Sequence, residues 1–334
     1  MKRVVVSIQL RSVGFSFFCV VLVVLAFACG DSRDGSQNAY EDGGSGGSAG
    51  AGGSGGGIGG AGGWCGPGSE NAPGPEHPSV SSARFRRVSV GDFSCGIDEA
   101  KQVICWGGSP FSTEPPDGAF KDLSVGACQA CAVDTDGRIQ CWGCPPGDGG
   151  VVPPEGTFSA VSVGYDHICG LRVDGTVSCS GMDDTTLVPV GSFRSVVSGL
   201  GASCGIERSS GSGNVKCWGR NDLGQGTPPS VMASTLGAGA YHFCAISSEG
   251  LLRCWGRDIG GLSGAPSGRF RAVDETCALS EMGDLTCWGS DSLQDTPDGC
   301  FAQVDASSTH ACAVRQDGHV VCWGANANGE ASPP

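Results

Sequence analysis

The sequence predicts an all-β chain built from seven copies of one cysteine-framed hairpin, an array of the propeller or solenoid kind. Three observations predict it. Cysteines recur in pairs, Cys95 with Cys105, Cys131 with Cys141, Cys169 with Cys179, Cys204 with Cys217, Cys244 with Cys254, Cys277 with Cys287 and Cys312 with Cys322, evenly spaced in all but the fourth. A second motif, Pro-x-Gly-x-Phe, returns with the same period of roughly 36 residues, ending at Phe120, Phe158, Phe193, Phe270 and Phe301. With 59 glycines, 16% charged and 7% aromatic residues, the composition suits short strands and turns better than long amphipathic helices.

Residues 1–28 read as an export signal: Lys2, Arg3 and Arg11 precede an apolar run from Val13 to Ala28. The run is too short for a retained membrane helix, which needs about 20 apolar residues. Cys29 follows at once, and a small residue before a cysteine here resembles the lipobox of bacterial lipoproteins, which implies that Cys29 becomes an acylated N-terminus. Ala26-Phe27-Ala28 departs from the usual lead-in and also fits an ordinary A-x-A cleavage site, which would release the chain free. Residues 29–84 form a linker. Gly43 to Gly63 is all Gly, Ser and Ala apart from Ile58 and buries too little to offset its ordering entropy. From Gly30 to Gly63 its reach is on the order of 30 Å, while Trp64-Cys65 is too apolar to be spacer alone.

From residue 85 to 334 the repeats run as Phe strand, Cys strand, tight turn, Cys-Trp-Gly strand, loop, Pro. Gly137, Gly175, Gly250, Gly283 and Gly318 stand six positions after a first cysteine and supply the positive φ of a three-residue turn. That hairpin places the paired cysteines opposite each other within disulfide reach. Repeat one has Lys101 at the glycine position, and repeat four inserts residues around Ser209 to Gly213, so these two tips are expected to differ.

The stretch from Gly164 through His167, Cys169 and Gly175 to Cys179, and the run Cys217-Trp-Gly-Arg-Asn-Asp-Leu-Gly-Gln-Gly226, resemble repeats of the regulator of chromosome condensation family. The β-lactamase inhibitor protein II shares that fold, and the cysteine-framed variety is similar to repeats of exported bacterial proteins. The resemblance spans Phe85 to Pro334 and implies a seven-bladed β-propeller with about four short antiparallel strands, and one hairpin disulfide, per blade. Ser180 replaces the repeat Trp, Ser307 replaces a strand-end Gly, and repeat six is shortened before Cys277. The nucleotide-exchange role of the family's namesake does not carry over to an exported, acidic chain.

The remaining cysteines carry their own expectations. Cys128 and Cys144 fall opposite each other in the repeat-two register and read as a second staple. Their rival is zinc, since Cys128-x-x-Cys131 and Cys141-x-x-Cys144 have ribbon spacing, but export favours oxidation. Cys65 and Cys300 would latch the first repeat to the last. His167, His242 and His310 occupy equivalent positions, two before a first cysteine, and read as turn braces rather than as a shared metal site. Asp134-x-Asp136-Gly137 is a turn rather than a calcium loop. Trp106, Trp142, Trp218, Trp255, Trp288 and Trp323 read as inter-repeat core.

No Ser/His/Asp set, carboxylate pair or phosphate loop stands out, so no catalytic residue, metal or cofactor is assigned. The formal net charge of −14, three units more negative without the leader, opposes nucleic acid binding. The expected protein is a monomeric, exported, lipid-anchored scaffold in the cell envelope. Its expected partner is an extracytoplasmic protein, met through the loops at Ser109–Pro115, Pro145–Val152, Met182–Val188, Asn221–Thr227, Asp258–Ala265 and Asp291–Thr296. Glycan binding, or an enzyme site in the central channel, are the alternatives.

Overall fold

A computed structural model describes Cys65 and residues 80–108, 114–146, 149–181, 187–209, 211–258, 265–289 and 293–334. All belong to the compact unit Ile58–Pro334. The expected signal 1–28, Cys29 and most of the 29–84 linker lie outside the described residues.

The described chain is all β. Its strands are β1 (Val80–Val90), β2 (Ser94–Asp98), β3 (Val103–Trp106), β4 (Phe120–Val125), β5 (Gln129–Asp134), β6 (Ile139–Gly143), β7 (Ala160–Val163), β8 (His167–Leu171), β9 (Val177–Gly181) and β10 (Phe193–Ser198). They continue as β11 (Ala202–Glu207), β12 (Gly213–Gly219), β13 (Met232–Ala238), β14 (His242–Ser247), β15 (Leu252–Gly256) and β16 (Phe270–Asp274). The last are β17 (Cys277–Ser280), β18 (Leu285–Cys287), β19 (Phe301–Ala306), β20 (His310–Arg315) and β21 (His319–Gly324). Taken three at a time they make antiparallel meanders, one per repeat.

Within each meander the framed cysteines are register partners on the second and third strands. Cys95 faces Cys105, Cys131 faces Cys141, Cys169 faces Cys179 and Cys204 faces Cys217. Cys244 faces Cys254, Cys277 faces Cys287 and Cys312 faces Cys322. All seven pairs are bonded, with Cα atoms 4.0–4.1 Å apart. Cys128 is bonded to Cys144 and Cys65 to Cys300. The hairpin staples differ in cover. Cys105 is only partly buried, because β3 is an edge strand, whereas Cys322 is 0% exposed, because β21 lies inside a sheet with β1 on its outer side.

The expectation of about four strands per repeat is corrected to three. Among the described residues a fourth is added only twice, where Val80–Arg84 of β1 pairs with β21 and where Met232–Ala233 of β13 pairs with β12. The reason lies in the glycine after each repeat Trp: Gly107, Gly143, Gly219, Gly256, Gly289 and Gly324, with Gly181 after Ser180, all have φ between 72° and 135°. A left-handed residue there turns the chain out of the sheet before a fourth strand can form. Pairing with β21 also explains why β1 starts at Val80, ahead of the Phe85 that repeat spacing marks.

Periodicity in the two motifs has one backbone cause. The amide of Phe120 donates to the carbonyl of Lys101, Phe158 to Gly137, Phe193 to Gly175, Phe270 to Gly250 and Phe301 to Gly283, all between 2.7 and 3.0 Å. Each hairpin tip therefore seats the opening Phe of the next repeat. Phe85 donates to Gly318 at 2.7 Å, so the last tip seats the first Phe. Repeat one forms the same turn with Lys101 at φ 68°, in the region that favours glycine.

Apolar burial follows the same plan. Six of its seven clusters each span two consecutive meanders, for example Leu279 and Leu293 with Phe301 and Val304, or Ile206 with Ala233 and Phe243. The remaining cluster joins Val314 and Val320 of the last meander to Phe85, Val88 and Trp106 of the first. No meander has a core of its own, and the array closes on itself. Six phenylalanines, Phe85, Phe120, Phe158, Phe193, Phe243 and Phe301, are at most 2% exposed, and each contributes about 1.5–3 kcal/mol by burial.

Candidate functional site

The first strands of all seven meanders line one cavity of about 230 Å³, to which Ser89, Ser124, Ser162, Val197, Asp274 and Asp305 contribute. It is the central channel. Alternation along a strand turns every second residue of the opening strands inward, and the inward residues include carboxylates. Asp274 on β16 and Asp305 on β19 line it with Arg87 of β1, whose Nη1 lies 2.7 Å from Oδ1 of Asp122 on β4.

These acids mostly hold the ring together. The amide of Val161 donates to Asp122 at 2.8 Å, Ala306 to Asp274 at 3.0 Å and Val90 to Asp305 at 2.7 Å. Val125 and Val163 donate likewise to the hydroxyls of Ser89 and Ser124 at 3.0 and 2.9 Å. In each case an inward side chain satisfies the backbone of the next meander, which a buried amide requires. Glu275 differs, because its carboxylate receives no hydrogen bond from the described residues.

Burial raises the carboxyls of Asp122 and Asp274, although Arg87 opposes it at both. Burial and then the neighbouring Asp274 raise Asp305 well above the ordinary range, and the same two causes push Glu275 up to about 8. The folded protein thus holds protons that an unfolded glutamate releases near 4.5, so this stabilisation is complete below that pH and is lost as pH rises through about 8. Buried His310, depressed to about 4, and buried His242, also depressed, work oppositely. Their share is present above 6.5 and is lost as pH falls below it. Between these limits the acids decide the sign. Raising pH from about 6.5 to 8 should lower stability by about 1.4 kcal/mol per pH unit for each retained proton, and the thermal midpoint with it, and Glu275→Gln should flatten the trend. A midpoint that climbs over that interval would contradict it.

A second constellation is invisible in the sequence. His167 Nδ1 lies 2.8 Å from Asp166 Oδ1 and its Nε2 lies 2.6 Å from Ser203 Oγ, the connectivity of a hydrolase triad. Burial alone would raise Asp166, but the hydrogen bond and charge of His167 hold it below its ordinary value. Ser203 is 0% exposed and His167 1%, which leaves no path for a substrate to the hydroxyl. The link also recurs at another junction, where His310 Nε2 lies 2.9 Å from Ser94 Oγ. At the third equivalent position His242 Nε2 donates to the carbonyl of Glu275 at 3.3 Å. Each histidine braces the following meander.

The model of the regulator of chromosome condensation (RCC1) repeat matches residues 234–259 and 301–330, segments that hold a Phe strand or its equivalent, the hairpin and the Trp strand. Those two segments match the RCC1 repeat. Among solved structures, the entire ectodomain of the Physcomitrella patens receptor kinase CR4 aligns with TM-score 0.62 at 25% identity over 74% of each chain. The CRINKLY WD40 ectodomain of the Arabidopsis thaliana receptor kinase ACR4 aligns with TM-score 0.60 at 23% identity, over 75% of this chain and 98% of that one. Prp20p of Saccharomyces cerevisiae aligns with TM-score 0.46 at 18% identity, over 75% and 72%. No curated protein matches. The fold is a β-propeller.

The loop after the Trp strand supports the neighbouring meander. The indoles of Trp106, Trp255 and Trp323 donate to the carbonyls of Glu330, Gln225 and Leu293 at 3.0, 2.9 and 3.1 Å, each in the loop preceding that repeat. The expected Trp core is seen in all six, with Trp142 only partly buried. Register puts the start of each second strand beside the end of the third, as at His167↔Gly181 and His242↔Gly256. The loops expected to form a contact rim therefore all leave from the channel face that carries Asp92, Tyr165 and Tyr241. Asn221–Thr227 is an internally bonded turn, with Gly226 N donating to Asn221 Oδ1 at 2.9 Å. Residues 109–113, 147–148, 182–186, 259–264 and 291–292 of the other five lie outside the described residues, as does Phe111.

Proposed function

We propose that the protein is an exported, non-catalytic binding module, a closed propeller of seven blades with one hairpin staple in each, carried on a lipid anchor at Cys29. Its partner is a protein outside the cytoplasm, met by the rim loops. The observation that carries this reading is the use made of the channel: the carboxylates that converge on it are engaged by amides of adjacent meanders, and the triad-like histidine is sealed. What remains for recognition is loop surface on a rigid ring. Dense disulfide bonding supports an oxidising compartment, and likeness to the CR4 ectodomain supports the same placement.

Affinity capture with the leader-free chain from cell-envelope extracts tests the reading. One protein should be retained by the chain, and lost when the loops at Asp258–Ala265 and Asp291–Thr296 are replaced by Gly/Ser. Turnover of an ester, peptide or glycoside abolished by Asp305→Asn would overturn it in favour of an enzyme. Saturable binding to a glycan array instead would favour the lectin alternative. Mass analysis of the N-terminal peptide, which should carry acyl chains on Cys29, tests the anchor separately.

A further inference from the structure

Repeat six is short where the other repeats turn inward. There Asp274 pairs directly with Cys277, leaving Glu275-Thr276 as the whole turn, whereas at the matching place in repeat one Ser89 pairs with Cys95 around a longer one. The residues that are absent would have included the strand-end glycine, which in repeats one to four lies against a carbonyl of the next repeat. Glu275 stands in the gap with φ 43°, a conformation that side chains other than Gly, Asn and Asp rarely adopt. Its carbonyl is used by His242, but its carboxylate, largely enclosed, accepts no hydrogen bond from the described residues.

The surroundings of that carboxylate are anionic and aromatic. Asp92 and Tyr165 stand at the same level of the ring, their amides donating to the carbonyls of Gly126 and Gly199 at 3.2 Å each. Tyr165 is 41% exposed, and its phenol is pushed up to about 12 by burial, then by Glu275, Asp92 and Tyr241; all four residues stand in turns between a first and a second strand, on the same channel face. Asp274 and Asp305 line the cavity below. Arg87 is committed to Asp122. The guanidinium of Arg257 sits 5.7 Å from the ring centroid of Tyr241, so one aromatic face of this mouth already takes a planar cation. An unpaired carboxylate beside tyrosine faces is the chemistry that holds a guanidinium, by a charge-assisted fork and by cation–π attraction.

We propose that the channel mouth beside the shortened turn of repeat six receives an arginine side chain of a partner protein, with Glu275 as its anionic acceptor and Tyr165 as its aromatic wall. This deepens the binding-module reading and rests on it. Titration calorimetry of the leader-free chain with acetyl-Gly-Arg-Gly-amide should show saturable binding, at least tenfold weaker for the citrulline peptide and for the Glu275→Gln variant. Tyr165→Ala should weaken it as well, which guards against a Glu275→Gln chain that folds poorly. With Asp274 adjoining Glu275, Asp305 in the cavity below, His242 bonded to its carbonyl, and Asp92, Tyr165 and Tyr241 in turns on the same channel face, binding should also fall as pH drops from about 8.5 to 6.5 and the carboxylate takes up its proton. Equal binding of the citrulline peptide, indifference to Glu275→Gln, or no saturation would overturn the site. If an envelope partner is captured equally by wild type and by Glu275→Gln, the site fails and the module stands; if no partner is captured, the broader reading fails.

Discussion

Replacing Phe301 by alanine is expected to remove about 3–5 kcal/mol of folding stability. Its ring is fully buried between the sixth and seventh meanders with Leu279, Leu293 and Val304, and the site cannot collapse onto a truncated side chain because its neighbours belong to two separate sheets. Its amide meanwhile stays bonded to Gly283 at 3.0 Å, so the backbone is held in place around the cavity that the substitution leaves. Val190→Ala is the control, since Val190 is 97% exposed and should change stability by about 0.5 kcal/mol or less. Denaturant unfolding under non-reducing conditions measures both. A Phe301→Ala loss no larger than that of Val190→Ala would mean that the junction between these meanders is not part of the cooperative core.

Removing the Cys65–Cys300 bond should cost more than removing any single hairpin staple. The hairpin bonds span 10 residues, or 13 in repeat four, whereas Cys65–Cys300 spans 235. By chain entropy a 10-residue loop is worth about 2.7 kcal/mol, and a span above 200 residues about 5 kcal/mol. Internal staples shorten the effective long loop, which lowers the second figure without reversing the order. The bond also fastens the chain ahead of β1, whose Val80–Arg84 end pairs with β21, while Val320 donates to Ser81 Oγ at 2.8 Å and Ser82 to the Pro334 carbonyl at 2.8 Å. The paired serine variants Cys65→Ser/Cys300→Ser and Cys169→Ser/Cys179→Ser, unfolded side by side, make the comparison. Equal losses would show that β1 and β21 close the ring without the covalent latch.

Legibility in the sequence followed locality. Turn glycines, framed cysteines and opening phenylalanines act over a single repeat, and each prescribes its local geometry through φ, through side-chain alternation or through one seat for a ring. Even so, the spacing that pairs Cys95 with Cys105 and Cys312 with Cys322 carries no sign that the last staple is covered by β1 while the first is left at a sheet edge. The channel acids gave no local signal either. Asp274 and Asp305 stand four residues after an opening Phe and Asp122 two after it, and each finds its donor in the neighbouring repeat. The same holds for Asp166, His167 and Ser203: the histidine position was visible as a repeat feature, but Ser203 is 36 residues away and reads as an ordinary residue before a cysteine. The shortened turn before Cys277 was legible as a deletion. What it leaves behind, a Glu275 carboxylate that accepts no hydrogen bond from the described residues, was not.

By itself the chain determined its repeat unit, its hairpin register and its all-β class, because a period-two strand, a positive-φ turn and a ten-residue cysteine spacing are local constraints that hold in any surroundings. Tertiary structure alone decided the number of strands in each repeat, the closing of the last repeat on the first, and the charge state of the channel. Those depend on desolvation and on hydrogen bonds between residues far apart in sequence, and they come into being only when the opening strands come together to line one cavity.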